Sequence, residues 1–191
     1  MDDAVLLRSS RKGDMDAMAA LVAKYQDRLY NAILRMCGNR DDAAELCQEA
    51  FVKALEGMAA FRQDAGFYTW LFRIGMNLAI SHRRRGGRVK FHSLDPAAGD
   101  GETPHRLTDV MSDPRQPDPS EQAAESDAQR QVMVALVGLD EEFRSVVVLR
   151  DIEDMNYDEI SRVLGVPIGT VKSRLYRARC MLREKLQGLL R

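Results

Sequence analysis

The stretch NYDEISRVLGVPIGTVKSRLYRARCMLREKL, residues 156–186, leaves few folds open to this chain. Two helix-period patterns meet there at Leu164-Gly165-Val166-Pro167. Asn156 followed three residues later by Glu159 is the signature of a capped helix start, in which the partner side chain reaches back. Gly165 can adopt the left-handed conformation that ends such a helix, and Pro167 suits the first turn of the next. A short Gly-containing turn between two helices is a helix-turn-helix, whose second helix enters the DNA major groove.

On a period of 3.6 residues the second helix divides into two faces. Ile168, Val171, Leu175, Ala178 and Leu182 form a stripe predicted to pack inward. Lys172, Ser173, Tyr176, Arg177 and Arg179 project elsewhere, and Glu184 is the one acid in the segment. Arg and Lys side chains take phosphates or read the O6/N7 edge of guanine. A solvated basic face on an ordinary amphipathic helix is the competing reading. The capped helix, Gly turn and Pro start together favour DNA.

A net charge of −1 argues against a nucleic-acid binder until it is divided along the chain. Residues 1–95 carry +3, residues 96–129 carry −6 and residues 130–191 carry +2. The acidic middle also holds Pro96, Pro104, Pro114, Pro117 and Pro119, with no apolar period. It reads as a flexible linker that cannot bury enough apolar surface to order itself. The predicted fold is therefore all-α, with two small helical domains: an N-terminal helical bundle over 1–91 and a C-terminal helix-turn-helix domain over 127–191. The linker spans 92–126.

In the first domain four helices are expected. The first covers about 3–12. Asp14 caps the second, which carries Met18, Leu21, Val22, Tyr25, Leu29, Ile33 and Met36 at helical spacing, and Gly38 stops it. Asp41 or Asp42 starts a third, with Cys47, Phe51, Ala54, Leu55 and Met58 inward. The opposite face of that helix shows Asp42, Glu45, Gln48, Glu49 and Lys53, either solvated surface or a partner site. A fourth helix runs from about 67 to 85. Leu71, Ile74, Gly75 and Leu78 make its packing stripe, and Arg73, Asn77, Ser81 and Arg84 share another face. No acid lies between Asp64 and Asp95, while Arg73, Arg83, Arg84, Arg85, Arg88 and Lys90 do. Phe61, Phe67, Tyr68, Trp70 and Phe72 cluster beside these cations, a combination that suits single-stranded nucleic acid. A core cluster with a solvated basic tail is the alternative; Trp70 and Phe72 read as core, and Phe61 is open to either reading.

Cys37, Cys47 and Cys180 have no CxxC or other ligand spacing and read as three free thiols in a reducing compartment. His82, His92 and His105 are too irregular for a metal site. No signal peptide or run of ~20 apolar residues is present, so a cytoplasmic location is expected. Neither a nucleophile–base pair nor a phosphate-cradling Gly loop is found, so neither an enzyme nor a cofactor is expected.

Four stretches in order, DDAAELCQEAFVKAL (41–55), FYTWLFRIGMNLAISHRRR (67–85), LDEEFRSVVVLRDIEDMNYDEI (139–160) and GVPIGTVKSRLYRARCMLRE (165–184), resemble a bacterial extracytoplasmic-function (group IV) sigma factor. The likeness is to the envelope-stress type and covers both domains. It implies a dissociable subunit of bacterial RNA polymerase that directs the enzyme to a class of promoters and helps open them. By this resemblance Asp42, Glu45, Gln48 and Glu49 press against the clamp of the largest polymerase subunit, and the flap of the second-largest subunit is a further partner. Phe61 and Arg62 match the loop that captures an extruded base of the −10 element. Arg73, Asn77, Arg84 and Arg85 match the helix lying on that element. Lys172, Ser173, Arg174, Tyr176, Arg177 and Arg179 match the helix that reads the double-stranded −35 element. Ser81 stands where many relatives carry an acid, and Glu45 where Asp is usual. The resemblance also implies control by an anti-sigma factor. A free-standing regulator would instead bind paired half-sites as a dimer without polymerase. An interaction protein would leave the basic run 83–90 without a use.

Overall fold

Short polar caps set the helix boundaries, and the computed structural model describes residues 2–58, 61, 66–92 and 129–189. Helix α1 (Asp3–Ser10) is followed by α2 (Met15–Cys37), α3 (Arg40–Gly57) and α4 (Phe67–His92). After them come α5 (129–137) and α6 (Glu141–Val147), which continues as a π-helical turn (Val148–Ile152), then α7 (Tyr157–Leu164) and α8 (Ile168–Leu189). Among the described residues every regular element is helical and none is a strand. The proposed linker, from 93 onward, and Arg62 lie outside the described residues.

Asp14 caps α2 as expected, its carboxylate accepting the N–H groups of Asp16 and Ala17 at 3.1 Å each. Gly38 ends α2 at φ 77°. The cap of α3 differs from expectation: Asn39 accepts the N–H groups of Asp41 (2.8 Å) and Asp42 (3.1 Å). The two aspartates occupy the first turn instead, where the helix dipole favours negative charge. Helix α4 runs one to two turns beyond Arg85, to His92. No proline interrupts that stretch, and cations near a helix C-terminus are favoured by the same dipole.

In the N-terminal bundle, Met18, Leu21, Tyr25, Leu29, Ile33 and Met36 of α2 are buried against Ala43, Leu46, Ala50, Phe51 and Ala54 of α3 and Leu71, Phe72 and Met76 of α4. Gly75 lets α4 approach α2 closely, since a Cβ there would sit 2.7 Å from Leu29 Cδ1. Two expected core positions are not in the core: Leu55 is 45% exposed and Ile168 37% exposed. Leu55 lies one helical step off the Ala50–Ala54 stripe, and Ile168 begins α8 before that helix reaches the core. Trp70 is half-buried, while Phe72 is fully buried.

The helix-turn-helix forms by the local rules. Asn156 and Glu159 make a reciprocal capping box, with bonds of 2.9 and 2.8 Å. Gly165 takes φ 66°, and its N–H donates to the Ser161 carbonyl at 2.9 Å. Ser161 Oγ donates to the Val166 carbonyl at 2.6 Å, closing the turn. Pro167 sits one position earlier than expected, immediately before α8, with its carbonyl accepting Val171 N–H at 3.1 Å. Val171, Leu175 and Ala178 are buried against Ile160, Val163 and the α6 valines.

The two modules also pack on each other. Helix α4 lies against α7, and the C-terminal end of α2 meets α6 and the π turn. Arg144 of α6 is completely buried at this seam and donates to the main-chain carbonyls of Met36, Val137 and Leu139.

Candidate nucleic-acid interface

On α8 the buried row leaves Lys172, Ser173, Tyr176, Arg177 and Arg179 exposed, with Tyr176 at 74%. Spacing of three and four residues puts Lys172, Tyr176 and Arg179 on one strip and Ser173 with Arg177 beside it. Lys172 Nζ lies 5.5 Å from the Tyr157 ring centroid and Arg150 lies 5.4 Å from the same ring, so Tyr157 at the start of α7 steadies two cations. Among the described residues no acid pairs with Lys172 or Arg177.

Two other cations of the set are engaged by their own domain. Arg174 is half-buried and pairs with Glu142 of α6 at 2.6 Å. Arg179 makes a two-point contact with Asp151, one arm at 3.1 Å, and the hydrogen bonds to that carboxylate raise its pKa further. The geometry thus separates Lys172, Tyr176 and Arg177, which face outward with no acidic partner among the described residues, from Arg174 and Arg179, which hold the scaffold.

Helix α4 presents Arg73, Asn77, Ser81, Arg84 and Arg85 as exposed side chains. Arg84 Nε reaches Glu141 of α6 at 2.6 Å, and Arg85 Nε is 3.4 Å from the Ser81 carbonyl. Arg73 and Asn77 remain open on the same face. Phe61 is 6% exposed and packs on Trp70, centroid to centroid 4.7 Å, and edge-on to Phe67 at 6.1 Å. Arg11 of α1 donates to the Phe61 carbonyl and lies over its ring at 5.6 Å. In this conformation Phe61 belongs to the aromatic cluster, and its faces are occupied.

The polar face of α3 gathers Asp42, Glu45, Gln48 and Glu49. Glu45 and Gln48 are exposed, Glu49 pairs with Lys53 at 3.4 Å, and Asp42 meets His82 Nε2 of α4 at 3.2 Å. Val52 (52% exposed) and Leu55 (45%) continue the face from Gln48 at positions four and seven residues on. Sequence reasoning passed over Val52 and placed Leu55 inward; an apolar pair at helical spacing beside polar residues was the available signal.

Cys37 and Cys180 are half-buried and Cys47 is buried, all as free thiols. Burial, with the nearby charge of Asp27, pushes the Cys47 thiol up to about 11, and burial raises that of Cys37. Among the described residues no group of His, Cys, Asp and Glu could hold a metal ion. No described helix is long and apolar enough to cross a membrane.

Residues 21–89 match Sigma-70 region 2, and residues 129–182 match Sigma-70, region 4. The RNA polymerase sigma-H factor of Pseudomonas aeruginosa is 35% identical over 192 residues, covering 99% of this chain and 96% of that protein. The ECF RNA polymerase sigma-E factor of Escherichia coli K12 is 32% identical over 193 residues, covering 100% and 97%. Among solved structures, CnrH in complex with the cytosolic domain of CnrY superposes with a TM-score of 0.68 at 26% identity, covering 97% of both chains. The sigma factor RpoE, in complex with the anti-sigma factor NepR from Bartonella quintana, gives 0.66 at 24% identity, covering 88% of this chain and 96% of that one.

Proposed function

The chain belongs to the extracytoplasmic-function sigma factors, DNA-recognition regulators rather than enzymes, and from that premise we propose how its three exposed faces divide the work. Lys172, Ser173, Tyr176 and Arg177 read the double-stranded −35 element in the major groove. The observation carrying this is the outward set Lys172, Tyr176 and Arg177, free of acidic partners among the described residues, on the second helix of a capped helix-turn-helix. Arg174 and Arg179, each held by a carboxylate, position that helix and contact phosphate at most.

Arg73, Asn77, Arg84 and Arg85 take the backbone of the −10 element, and Phe61 with Arg62 receives an extruded base. Extrusion costs a few kcal/mol of stacking per base, which a protein pocket offsets. Because Phe61 is stacked on Trp70, base capture requires that ring to turn outward. Glu45, Gln48 and Glu49, with Val52 and Leu55, form the core-polymerase face: apolar surface at its centre and polar groups at its rim match the anatomy of protein interfaces. The acidic linker over 92–126 occupies a cationic channel of the polymerase rather than DNA. The clamp of the largest subunit and the flap of the second-largest are the surfaces we assign to the two modules. An anti-sigma protein, acting in the cytoplasm or from a membrane, controls the chain by covering the α3 face. The likeness to CnrH, solved in complex with the cytosolic domain of CnrY, supports a partner protein for this chain.

The test is transcription by core polymerase over a promoter library with and without the chain. New starts that depend on it are expected; none across a broad library refutes the reading. Replacing Gln48 and Glu49 together by Ala should weaken core binding, and unchanged affinity rejects the α3 assignment.

A further inference from the structure

Helix α1 precedes the region 2 match at 21–89, yet its C-terminal end touches the base-capture candidate. The C-cap residue Arg11 donates through Nη2 to the Phe61 carbonyl, 50 positions away, and its guanidinium lies 5.6 Å from the Phe61 ring centroid. Trp70 lies against the same ring at 4.7 Å, tilted by 34°, and Phe67 meets its edge at 6.1 Å. The Phe61 N–H reaches the Met58 carbonyl at 3.4 Å. One ring is therefore held by an indole, a phenyl and a cation, with both of its backbone groups engaged. The two aromatic partners belong to α4 of the bundle, whereas Arg11 is an exposed side chain.

The rest of α1 makes a firm base for that contact. Leu6 and Leu7 are buried against the bundle, and Asp3 pairs with Lys24 at 2.5 Å and accepts from the Tyr25 hydroxyl. Charge is divided along the helix: Asp2 and Asp3 open it, and Arg8, Arg11 and Lys12 close it. Arg8 and Arg11, three residues apart, share one face, and Lys12 follows in the closing turn. All three cations are exposed, and among the described residues no acid pairs with any of them. A cationic face beside stacked aromatic rings is the combination that suits single-stranded nucleic acid.

We propose that Arg11 is a positioning residue for base capture, which exchanges Phe61 for a phosphate of the single strand when the ring turns outward. This deepens the base-capture role proposed above and rests on it. Without a strand, the guanidinium has a neutral carbonyl and a ring face as partners, and it holds Phe61 against Trp70. Turning the ring out breaks the stack and takes the ring from Arg11, which is left with the carbonyl alone. A phosphate beside the extruded base is the stronger acceptor, because both partners are then charged. Arg11 is exposed, so its side chain makes that move without disturbing a buried group. Capture and charge neutralisation are thus coupled at one residue. A strand lacking the base leaves Arg11 on Phe61, and a strand presenting it draws Arg11 away.

The salt dependence of strand binding tests the exchange. The probe is a fluorescein-labelled single strand of about 12 nucleotides, selected from a random pool by the chain bound to core polymerase. It is compared with the same strand made abasic at each position in turn. Each phosphate contact to a single strand adds about 0.7 to the steepness of log K against log salt. With the wild type, the intact strand should bind more tightly than the strand abasic at the captured position, with a slope steeper by about 0.7. Arg11→Gln should remove that difference in slope, and Arg11→Lys, which keeps the charge, should retain it. Trp70 is the one tryptophan of the sequence, so its emission in the free chain reports the cover given by Phe61. Arg11→Gln should shift that emission to the red at unchanged helicity; an unshifted emission means that Arg11 does not hold the ring, and overturns the exchange. Equal wild-type slopes beside a clear preference for the intact strand also overturn it and leave base capture standing. A difference in slope that survives Arg11→Gln denies Arg11 any part in it. If no strand is selected, or no abasic position weakens binding, base capture is refuted and the exchange with it.

Discussion

Replacing Arg144 by Met isolates what a fully buried cation does at the junction of two helix ends. The guanidinium donates to Met36 at the C-terminus of α2 and to Val137 and Leu139 at the end of α5, the last at 2.8 Å. No carboxylate is among its partners. Each helix C-terminus carries about half a negative charge, so two of them together balance one guanidinium. Met keeps much of the volume and loses every bond. The Met36 and Leu139 carbonyls left unpaired would cost about 1–3 kcal/mol each, and the part-buried Val137 carbonyl less. Two effects reduce that sum: Arg83 lies 3.4 Å from the Met36 carbonyl, and removing a desolvated charge whose Nε has no partner recovers several kcal/mol. The net expected loss is about 2–4 kcal/mol. Urea unfolding followed by circular dichroism should show the midpoint falling by about 1–2 M at an unchanged slope. Arg144→Lys, with the charge kept and fewer donors, should fall between. An Arg144→Met midpoint within error of wild type, or above it, would mean that helix ends do not neutralise this cation as argued.

Other outcomes follow from single residues. Arg177→Ala should cost about 1–3 kcal/mol at one −35 position if it holds a base in two-point fashion; an equal loss over all sequences marks a phosphate contact. Asn156→Ala removes the side-chain half of the capping box at α7, leaving the backbone N–H of residue 156 to Glu159, and should lower stability by about 1 kcal/mol; an unchanged melting curve would deny that half of the cap any role. Burial raises the Cys37, Cys47 and Tyr68 pKa values, Cys47 to about 11, so the folded chain holds these protons more tightly than the unfolded one. Their contribution is complete below the unfolded values, about 8.5 for Cys and 10 for Tyr, and is lost as pH rises towards the folded ones. The urea midpoint should therefore drop between pH 8 and 10.5, and a flat or rising profile contradicts the burial argument.

The α8 face was legible because its signals are local. Asn156–Glu159, Gly165 and the Val171–Leu175–Ala178 row each act within one or two helical turns, and each sits where its spacing implied. The α3 face was legible in its polar half, Glu45, Gln48 and Glu49, for the same reason. Val52 and Leu55 escaped because apolar residues on a helix read by default as core, and only the packed bundle shows which stripe faces inward. Arg174 and Arg179 read as equals of Arg177 in a linear pattern. What distinguishes them is the position of Glu142 and Asp151, some thirty residues away on another helix.

Caps, helical period and charge distribution determined that this chain forms two helical units, with a helix-turn-helix in the second and cationic faces on both. Those properties depend on neighbours within a few residues, so the order of side chains suffices to specify them. Tertiary structure alone decided that Phe61 stacks on Trp70, that Arg144 is sealed between two helix ends, and that Glu153 reaches across to Arg28 and Tyr68. Such contacts join residues up to 125 positions apart. Their energies depend on burial, which removes the competing water, and burial is a property of the assembled helices rather than of any segment.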